Sequence, residues 1–146
     1  MRIYLAGPIA NLSHEQASQW RLYVETALPE FEVFNPMVYN NDTENDNLPN
    51  YNGTKRGGEI WQIDKTNLEN SDLILANFTG SEKVSIGTAV EIGMAVQLNI
   101  PIIVVMENNN IHRHPFICVP AEFVCDNLDK AIDYCKFILE FQHIKF

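Results

Sequence analysis

Glu91 is the residue of this sequence with the clearest chemical potential, because it stands in a run of small residues that opens a helix. Residues 85–95 read SIGTAVEIGMA, and this pattern predicts a helix over residues 88–98 with Glu91 in its first turn. A helix N-terminus stabilises a carboxylate as its anion, and an anionic carboxylate can attack an electron-poor carbon. The structural alternative is a capping box, in which the Glu91 side chain only bonds the backbone of Thr88.

Asp64 is a second carboxylate that can work together with Glu91. It lies in a predicted helix over residues 59–70, where an acidic side chain is ordinarily solvated. If it faces the same cleft as Glu91, two carboxylates flank one substrate. That arrangement suits cleavage of a glycosidic bond, since one carboxylate attacks the anomeric carbon while the other manages the proton of the leaving group.

The N-terminal stretch MRIYLAGPIA supplies the other candidate groups. Tyr4 lies in a predicted strand, Arg2–Ala6, where its ring either packs in the core or uses its hydroxyl to hold Glu91. Gly7 and Pro8 follow this strand. Gly7 permits a ligand to approach the backbone closely, although a tight turn alone also explains the pair.

Apolar, strand-like runs alternate with amphipathic, helix-like runs, which predicts an α/β fold. The predicted strands cover residues 2–6, 31–34, 72–78, 101–106 and 123–125, and the predicted helices cover residues 14–28, 59–70, 88–98 and 128–141. Right-handed crossovers then give a Rossmann-like (flavodoxin-like), doubly wound parallel sheet of about five strands flanked by helices, in one domain over residues 1–146. Ligands of such sheets bind beyond the C-terminal strand ends, where Gly7 and the segment before Glu91 both fall.

Two long loops are expected between these elements. Residues 35–58 are rich in Pro, Asn, Asp and Gly, and long loops of this kind tend to be lids or binding loops. Lys55 and Arg56 in this loop could reach an anionic group. Residues 107–120 form the second loop, whose His112-Arg113-His114 triplet is too sparse for a metal site without Cys or carboxylate partners. No metal is therefore expected.

Composition narrows the class of function. The 146 residues carry a net charge of −9, which argues against binding of nucleic acid. No apolar run approaches 18 residues, so no membrane span is expected. The three cysteines and the lack of an export signal favour free thiols in the cytoplasm. Dinucleotide, triphosphate and serine hydrolase motifs do not occur, and no cofactor is predicted.

Three stretches together resemble the nucleoside 2-deoxyribosyltransferase family: IYLAGPI, IDKTNLENSDLILANF, and SIGTAVEIGMA followed by NIPIIVV. The resemblance implies an enzyme that cleaves the N-glycosidic bond of 2'-deoxynucleosides or their monophosphates and passes the sugar to a second base or to water. It implies that Glu91 is the nucleophile of a covalent deoxyribosyl-enzyme, that Asp64 assists proton transfer at the base, and that Tyr4 orients Glu91. Its partners are then a nucleoside or nucleotide and a free base. A homodimer or larger homo-oligomer is implied too, in which a loop of a neighbouring subunit completes each site.

Ser85 departs from the pattern of the family's transferases, which commonly carry an aspartate six residues before the nucleophile to hold the sugar 5'-hydroxyl. A serine at this position is similar to the related nucleoside 5'-monophosphate hydrolases, because a carboxylate would repel a phosphate. Those hydrolases can also place Ser and Arg after the first strand, where this chain has Pro8 and Ala10. The phosphate hypothesis is thus half supported. The residues expected to contact the substrate are Gly7, Pro8, Ile9, Ser85, Gly87 and Thr88.

Two other classes of function remain open at this point. A non-catalytic nucleotide-binding module that senses a metabolite would bind ligand without turnover, with Glu91 locked onto its own helix backbone. A flavodoxin-like electron carrier shares the expected architecture and would be yellow when purified.

Overall fold

Within residues 1–39 and 55–143, which a computed structural model describes, five parallel strands form the central sheet. The strands are β1 (Arg2–Ala6), β2 (Glu32–Phe34), β3 (Leu73–Asn77), β4 (Ile102–Val105) and β5 (Phe123–Cys125). Their order is β2-β1-β3-β4-β5, and every neighbouring pair is parallel. The predicted doubly wound α/β fold is therefore confirmed.

Helices cover both faces of this sheet. They are α1 (His14–Ala27), α2 (Lys55–Glu69), α3 (Ile86–Gln97), the short α4 (Pro115–Cys118) and α5 (Leu128–His143), with a 3-10 turn at Pro36–Tyr39. Successive strand residues point to opposite faces. Ile3 and Leu5 pack with residues of α1 and α5, whereas Tyr4 and Ala6 pack with residues of α2 and α3. Both layers are apolar because both faces are covered.

The strand order reverses between β1 and β3. The helix after β1 covers one face of the sheet and the helix after β3 covers the other, which opens a crevice at the carboxyl ends of these two strands. Gly7 stands at this point, and a Cβ there would come within 2.8 Å of the Trp20 ring and 2.9 Å of the Asn77 carbonyl oxygen. Only a glycine therefore lets the chain turn here without displacing its neighbours.

Helix α3 begins at Ile86, two residues before the predicted start. Ser85 is its N-cap, and the Ser85 Oγ accepts a hydrogen bond from the Thr88 N–H at 3.4 Å. Glu91 consequently lies in the second turn. The capping box between Thr88 and Glu91 is wrong, because the cap position is already taken by a better-placed serine.

The loop predicted over residues 35–58 is wrong at both ends. Its beginning contains the 3-10 turn Pro36–Tyr39, and its end belongs to α2, which starts at Lys55. The glycines at 57 and 58 therefore do not interrupt α2. Residues 40–54, and the side chains of Lys55 and Arg56, lie outside the described residues, as does most of the loop from which base contacts are expected.

The loop predicted over residues 107–120 contains helix α4. His114 caps it, its ring nitrogen accepting the Phe116 N–H at 3.2 Å. In the described part of the chain, no helix combines the length and apolar character that crossing a bilayer requires.

Candidate active site

A hydrogen bond joins the first strand to the third helix. The Tyr4 hydroxyl donates to Oε1 of Glu91 at 2.7 Å. Tyr4 is fully buried, and its ring stacks on Phe34 with 5.2 Å between ring centroids. Because β1 is paired with a strand on either side, the hydroxyl is held in place and fixes the orientation of the Glu91 carboxylate. Tyr4 thus combines the two interpretations that the sequence leaves open.

The Glu91 carboxyl group experiences opposing influences. Its pKa is raised from the usual 4.5 to about 7 as the net result, with burial as the largest cause and the negative charge of Asp64 acting in the same direction. The hydrogen bond from Tyr4 and the positive charge of Arg21 act in the opposite direction and favour the anion. The helix terminus contributes little, since its field falls off within the first turn.

Asp64 lies on α2, half-buried beside the same cavity. Burial raises the pKa of its carboxyl group to about 6, against the positive charge of Arg21. Because the two carboxyl groups interact, they titrate as a pair rather than independently. Between pH 6 and 7 the pair accordingly holds close to one proton, which is the state needed for one nucleophile and one acid.

Asp64 and Glu91 line one cavity of about 290 Å³ between α2 and α3. Its other lining residues are Gly57, Ile60, Trp61, Lys65, Leu68, Gly87, Val90 and Met94. Largely apolar walls with a few charged groups are typical of small-molecule sites, and the volume lies near the lower end of their range. Trp61 is absent from the residues that the sequence predicts for the site, and its ring is 47% exposed beside this cavity.

The three residues after β1 occupy different surroundings. The Gly7 carbonyl oxygen accepts a hydrogen bond from Nη2 of Arg21 at 3.0 Å. Pro8 lines a second cavity of about 370 Å³ at the ends of β1 and β3, together with Asn11, Trp20 and Asn77 among others. The carbonyl of Ile9 accepts the Leu12 N–H at 3.2 Å and closes a turn.

Of the three substrate contacts expected near the start of α3, Ser85 and Thr88 form the helix cap and Gly87 lines the cavity. The Ser85 and Thr88 hydroxyl oxygens lie 2.8 Å apart and share a hydrogen bond, and Thr88 is buried. Both hydroxyls therefore build the helix cap, while Gly87 lines the cavity of the two carboxylates. Contact of Ser85 and Thr88 with a substrate stays a prediction.

Arg21 and His112 support the site without being predicted for it. Arg21 is fully buried on the face of α1 that also carries Ala17 and Val24. An arginine at helical spacing between apolar residues is the pattern in the sequence that could have indicated its burial. The His112 Nε2 accepts the Ser85 N–H at 2.8 Å. Only the fold reveals this second contact. No group of three or more His, Cys, Asp or Glu residues in the described part of the chain has the arrangement to hold a metal ion.

Comparison with known proteins identifies the family. The sequence model described as nucleoside 2-deoxyribosyltransferase matches residues 3–135. The chain belongs to this family. The resemblance seen in the three sequence stretches is thereby confirmed, and with it a place among enzymes that act on N-glycosidic bonds of nucleosides or nucleotides.

Three solved structures show the same fold at low sequence identity. A 2-deoxyribosyltransferase from Bacillus psychrosaccharolyticus superposes with a TM-score of 0.71 over 92% of each chain, at 17% identity. A conserved protein from Enterococcus faecalis V583 gives a TM-score of 0.66 over 93% of this chain and 97% of its own, also at 17% identity. A CMP N-glycosidase from Clostridium botulinum gives 0.59 over 94% of this chain and 99% of its own, at 18% identity. No curated protein matches significantly by sequence.

Proposed function

We propose that this protein cleaves the N-glycosidic bond of a 2'-deoxyribonucleoside and transfers the sugar to another base through a covalent deoxyribosyl intermediate on Glu91. The hydrogen bond of 2.7 Å between Tyr4 and Glu91, in the wall of a cavity that Asp64 also lines, is the observation that carries the proposal. The substrate is a small-molecule nucleoside and the acceptor a free base. The three unpaired cysteines are in keeping with a reducing, cytoplasmic setting.

The first half-reaction breaks the bond between the sugar and its base. A carboxylate oxygen of Glu91 forms a bond to the anomeric carbon, and the electron pair of the glycosidic bond passes to the leaving nitrogen. Asp64 supplies a proton to the departing base, so the base leaves neutral. The sugar is then held as an ester on Glu91.

The second half-reaction reverses these roles. A nitrogen of the incoming base forms a bond to the anomeric carbon while the ester bond to Glu91 breaks. Asp64 takes up the proton released by the attacking base and returns to its starting state. The active site thus needs one proton, shared in turn between base and enzyme, and no cofactor.

Electrostatics supports placing that proton on Asp64 when substrate is bound. The Tyr4 hydroxyl donates to Glu91 and stabilises its anion. Positive charge develops on the sugar in the oxocarbenium-like transition state and favours an anionic carboxylate beside it. In the free protein the pKa of Glu91, about 7, lies above that of Asp64, about 6, so the proposal requires the bound substrate to shift the shared proton to Asp64.

The walls of the cavity supply contacts for the rest of the substrate. The exposed ring of Trp61 offers a stacking surface for a base, an interaction that tolerates different bases. The amides of the first α3 turn have no acceptor inside the helix and can hold sugar oxygens near Gly87. Contacts of Pro8 and Ile9 with the substrate stay a prediction, since Pro8 lines the second cavity and the Ile9 carbonyl closes a turn.

The deciding experiment separates transfer from hydrolysis. Incubation with deoxyadenosine and cytosine should yield deoxycytidine and adenine, whereas release of free base from deoxynucleoside monophosphates without exchange would indicate hydrolysis with water as acceptor. We expect Glu91→Gln to abolish exchange and Asp64→Asn to reduce it by at least a hundredfold. Glu69→Gln, an exposed change on the helix that carries Asp64, is the matched control and should be fully active.

Full exchange by Glu91→Gln would overturn the covalent mechanism. Binding of a nucleoside without any turnover by the unaltered protein would instead support a non-catalytic binding module.

A further inference from the structure

Arg21 is a buried cation that has no close anionic partner in the described part of the chain. Its side chain is fully buried. It donates from Nη1 to the Ala17 carbonyl and from Nη2 to the Gly7 carbonyl, the latter at 3.0 Å. The guanidinium lies over the Trp20 ring, 4.5 Å from its centroid, and Nε has no hydrogen-bond partner among the residues that the structure describes. No carboxylate among the described residues comes within ion-pair distance of it.

Such a residue is costly to keep for packing alone. A buried charge loses its hydration, and a methionine of similar length would fill the space without that loss. Burial lowers the pKa of Arg21 to about 10, so its charge persists at neutral pH. A compensating interaction at longer range is therefore needed.

The carboxyl pair provides this interaction. The charge of Arg21 is stabilised chiefly by Glu91 and then by Asp64. The effect is reciprocal, since the same cation opposes the uptake of protons by both carboxyl groups. At longer range in a buried setting, charges interact more strongly than they would through water.

We propose that Arg21 is a positioning residue of the active site, a buried cation that holds the Gly7 carbonyl after β1 and prevents the Glu91–Asp64 pair from taking up a second proton. The hydrogen bond to the Gly7 carbonyl carries the first part, and the full burial of the guanidinium, where its charge is little screened by water, supports the second. The guanidinium anchors the backbone three residues after Tyr4, and the lack of a side chain at Gly7 leaves room for Nη2, which would lie 3.4 Å from a Cβ there. The consequence for catalysis rests on the proposed function, whereas the effect on the carboxyl pair does not.

The groups that face the carboxyl pair can be named element by element within residues 1–39 and 55–143. Tyr4 faces it from β1, Arg21 acts from α1, and Lys65 lines the same cavity on α2. Lys65 is partly exposed and lies 3.5 Å from Glu69 at the surface, so solvent screens its charge. Of these cations, Arg21 therefore has the strongest electrostatic effect on the Glu91 and Asp64 carboxyl groups.

The test is a pH titration of the carboxyl groups by NMR, with ¹³C-labelled Asp and Glu side chains and with Glu91→Gln and Asp64→Asn to assign the signals. Arg21→Met removes the charge and keeps the apolar stem, and we expect the titration midpoints of the pair to rise by about one pH unit. Arg21→Lys retains the charge and should restore midpoints close to those of the unaltered protein. Arg113→Met, which removes an exposed arginine, is the control and should change nothing.

Unchanged midpoints in a folded Arg21→Met protein would overturn the inference. If Arg21→Met does not fold, the same substitution is made together with Glu91→Gln and Asp64→Asn. Folding in this neutral background supports the proposal, because the cation is no longer needed there, and failure to fold assigns Arg21 to packing alone and overturns it. The midpoints are read without any substrate, so absence of glycosidic cleavage would defeat the proposed function and leave this test intact.

Discussion

Tyr4 illustrates how one side chain can serve packing and chemistry together. Its ring is part of the apolar layer beneath α2 and α3, and its hydroxyl reaches the Glu91 carboxylate. Burial and the neighbouring carboxylates raise the pKa of Tyr4 strongly, so the hydroxyl always carries the proton that it donates. The anionic form of Glu91 therefore depends on a group that never ionises in the working range.

Removal of that hydroxyl tests its role directly. Tyr4→Phe fills the same space but loses the donor, so the pKa of Glu91 should rise above about 7. We expect kcat/KM to fall about tenfold at pH 6 and less at pH 8, because protonated Glu91 is no nucleophile. A pH–rate profile measures this. Tyr23→Phe, which loses a hydroxyl bonded to Asp129 outside the cavity, is the control, and an equal loss at both pH values would contradict the interpretation.

The same carboxyl group should reduce the stability of the fold as pH rises from about 4.5 to about 7. The pKa of Glu91 rises from 4.5 to about 7 on folding. Below pH 4.5 the group is protonated in both states and costs no stability, and the free energy of unfolding of the protein then falls as pH rises toward 7. Glu91→Gln does not titrate. Relative to the unaltered protein, its free energy of unfolding should rise by about 3 kcal/mol between pH 4 and pH 8. Urea unfolding at the two pH values measures this difference, and an equal difference at both would refute the sign.

At the scale of elements, the start of α3 decides what the site can hold. Ser85 caps the helix through its hydroxyl, and its own N–H is bound by His112 from the segment after β4. The His112 ring also stacks on Phe78, with 4.1 Å between ring centroids. The end of the cavity nearest Gly87 is therefore built from two loops tied together.

Ser85 can be exchanged without removing the cap. Aspartate is as good an N-cap as serine, so Ser85→Asp should keep the free energy of unfolding within about 0.5 kcal/mol, whereas Ser85→Ala should lose about 1 kcal/mol. The new carboxylate should lower KM for deoxynucleosides and raise KM for monophosphates, through attraction of a hydroxyl and repulsion of a phosphate. Steady-state kinetics with both substrates measures this. Equal KM changes for both would mean that Ser85 does not face the 5' end.

His112 gives this junction a pH dependence. Burial lowers the pKa of His112, so the neutral ring accepts the Ser85 N–H, and the stabilisation is present above pH 6.5 and is lost as pH falls through the lowered value. His112→Ala should cost about 1 to 2 kcal/mol at pH 7.5 and less at pH 5. Thermal unfolding at both pH values measures the change, with His14→Ala as a control on α1. If the cost does not depend on pH, the loss of stability comes from the stacking on Phe78 and not from the hydrogen bond to Ser85.

The elements themselves could largely be predicted from sequence, and their junctions could not. Apolar runs such as residues 72–78 and 101–106 can only be buried strands, and the rule for ligand sites at strand ends brings Tyr4 and Glu91 to one rim. The sequence alone leaves the start of α3 open because Ser85 and Thr88 are both residue types that cap helices. Arg21 and His112 escaped prediction because their roles depend on burial between elements that are distant in sequence.

At the scale of the whole molecule, an apolar surface surrounds the start of α3. Val84, Ile86, Phe116 and Val119 are 67%, 75%, 82% and 80% exposed. They lie on the two segments joined by the hydrogen bond between Ser85 and His112. Clusters of exposed apolar side chains mark interaction sites, and this one adjoins the cavity.

We expect a second copy of the chain to cover this surface. Sedimentation should show a dimer or larger assembly, and Phe116→Glu with Val119→Glu should shift it toward the monomer. Leu22→Glu, which places the same charge at an exposed apolar position on α1, should leave the assembly unchanged. A monomeric unaltered protein at micromolar concentration would contradict this expectation.

The position of β1 inside the sheet also has a consequence for how the chain acquires its site during synthesis. β1 pairs with β2 and with β3, which emerges from the ribosome some 70 residues later, and Tyr4 meets Glu91 across 87 positions of sequence. A nascent chain that ends before β3 leaves its first apolar strand open on one edge, and such non-local parallel pairing is slow. The cavity thus forms only after β3 and α3 have joined β1, and its appearance should report that these non-local contacts are in place.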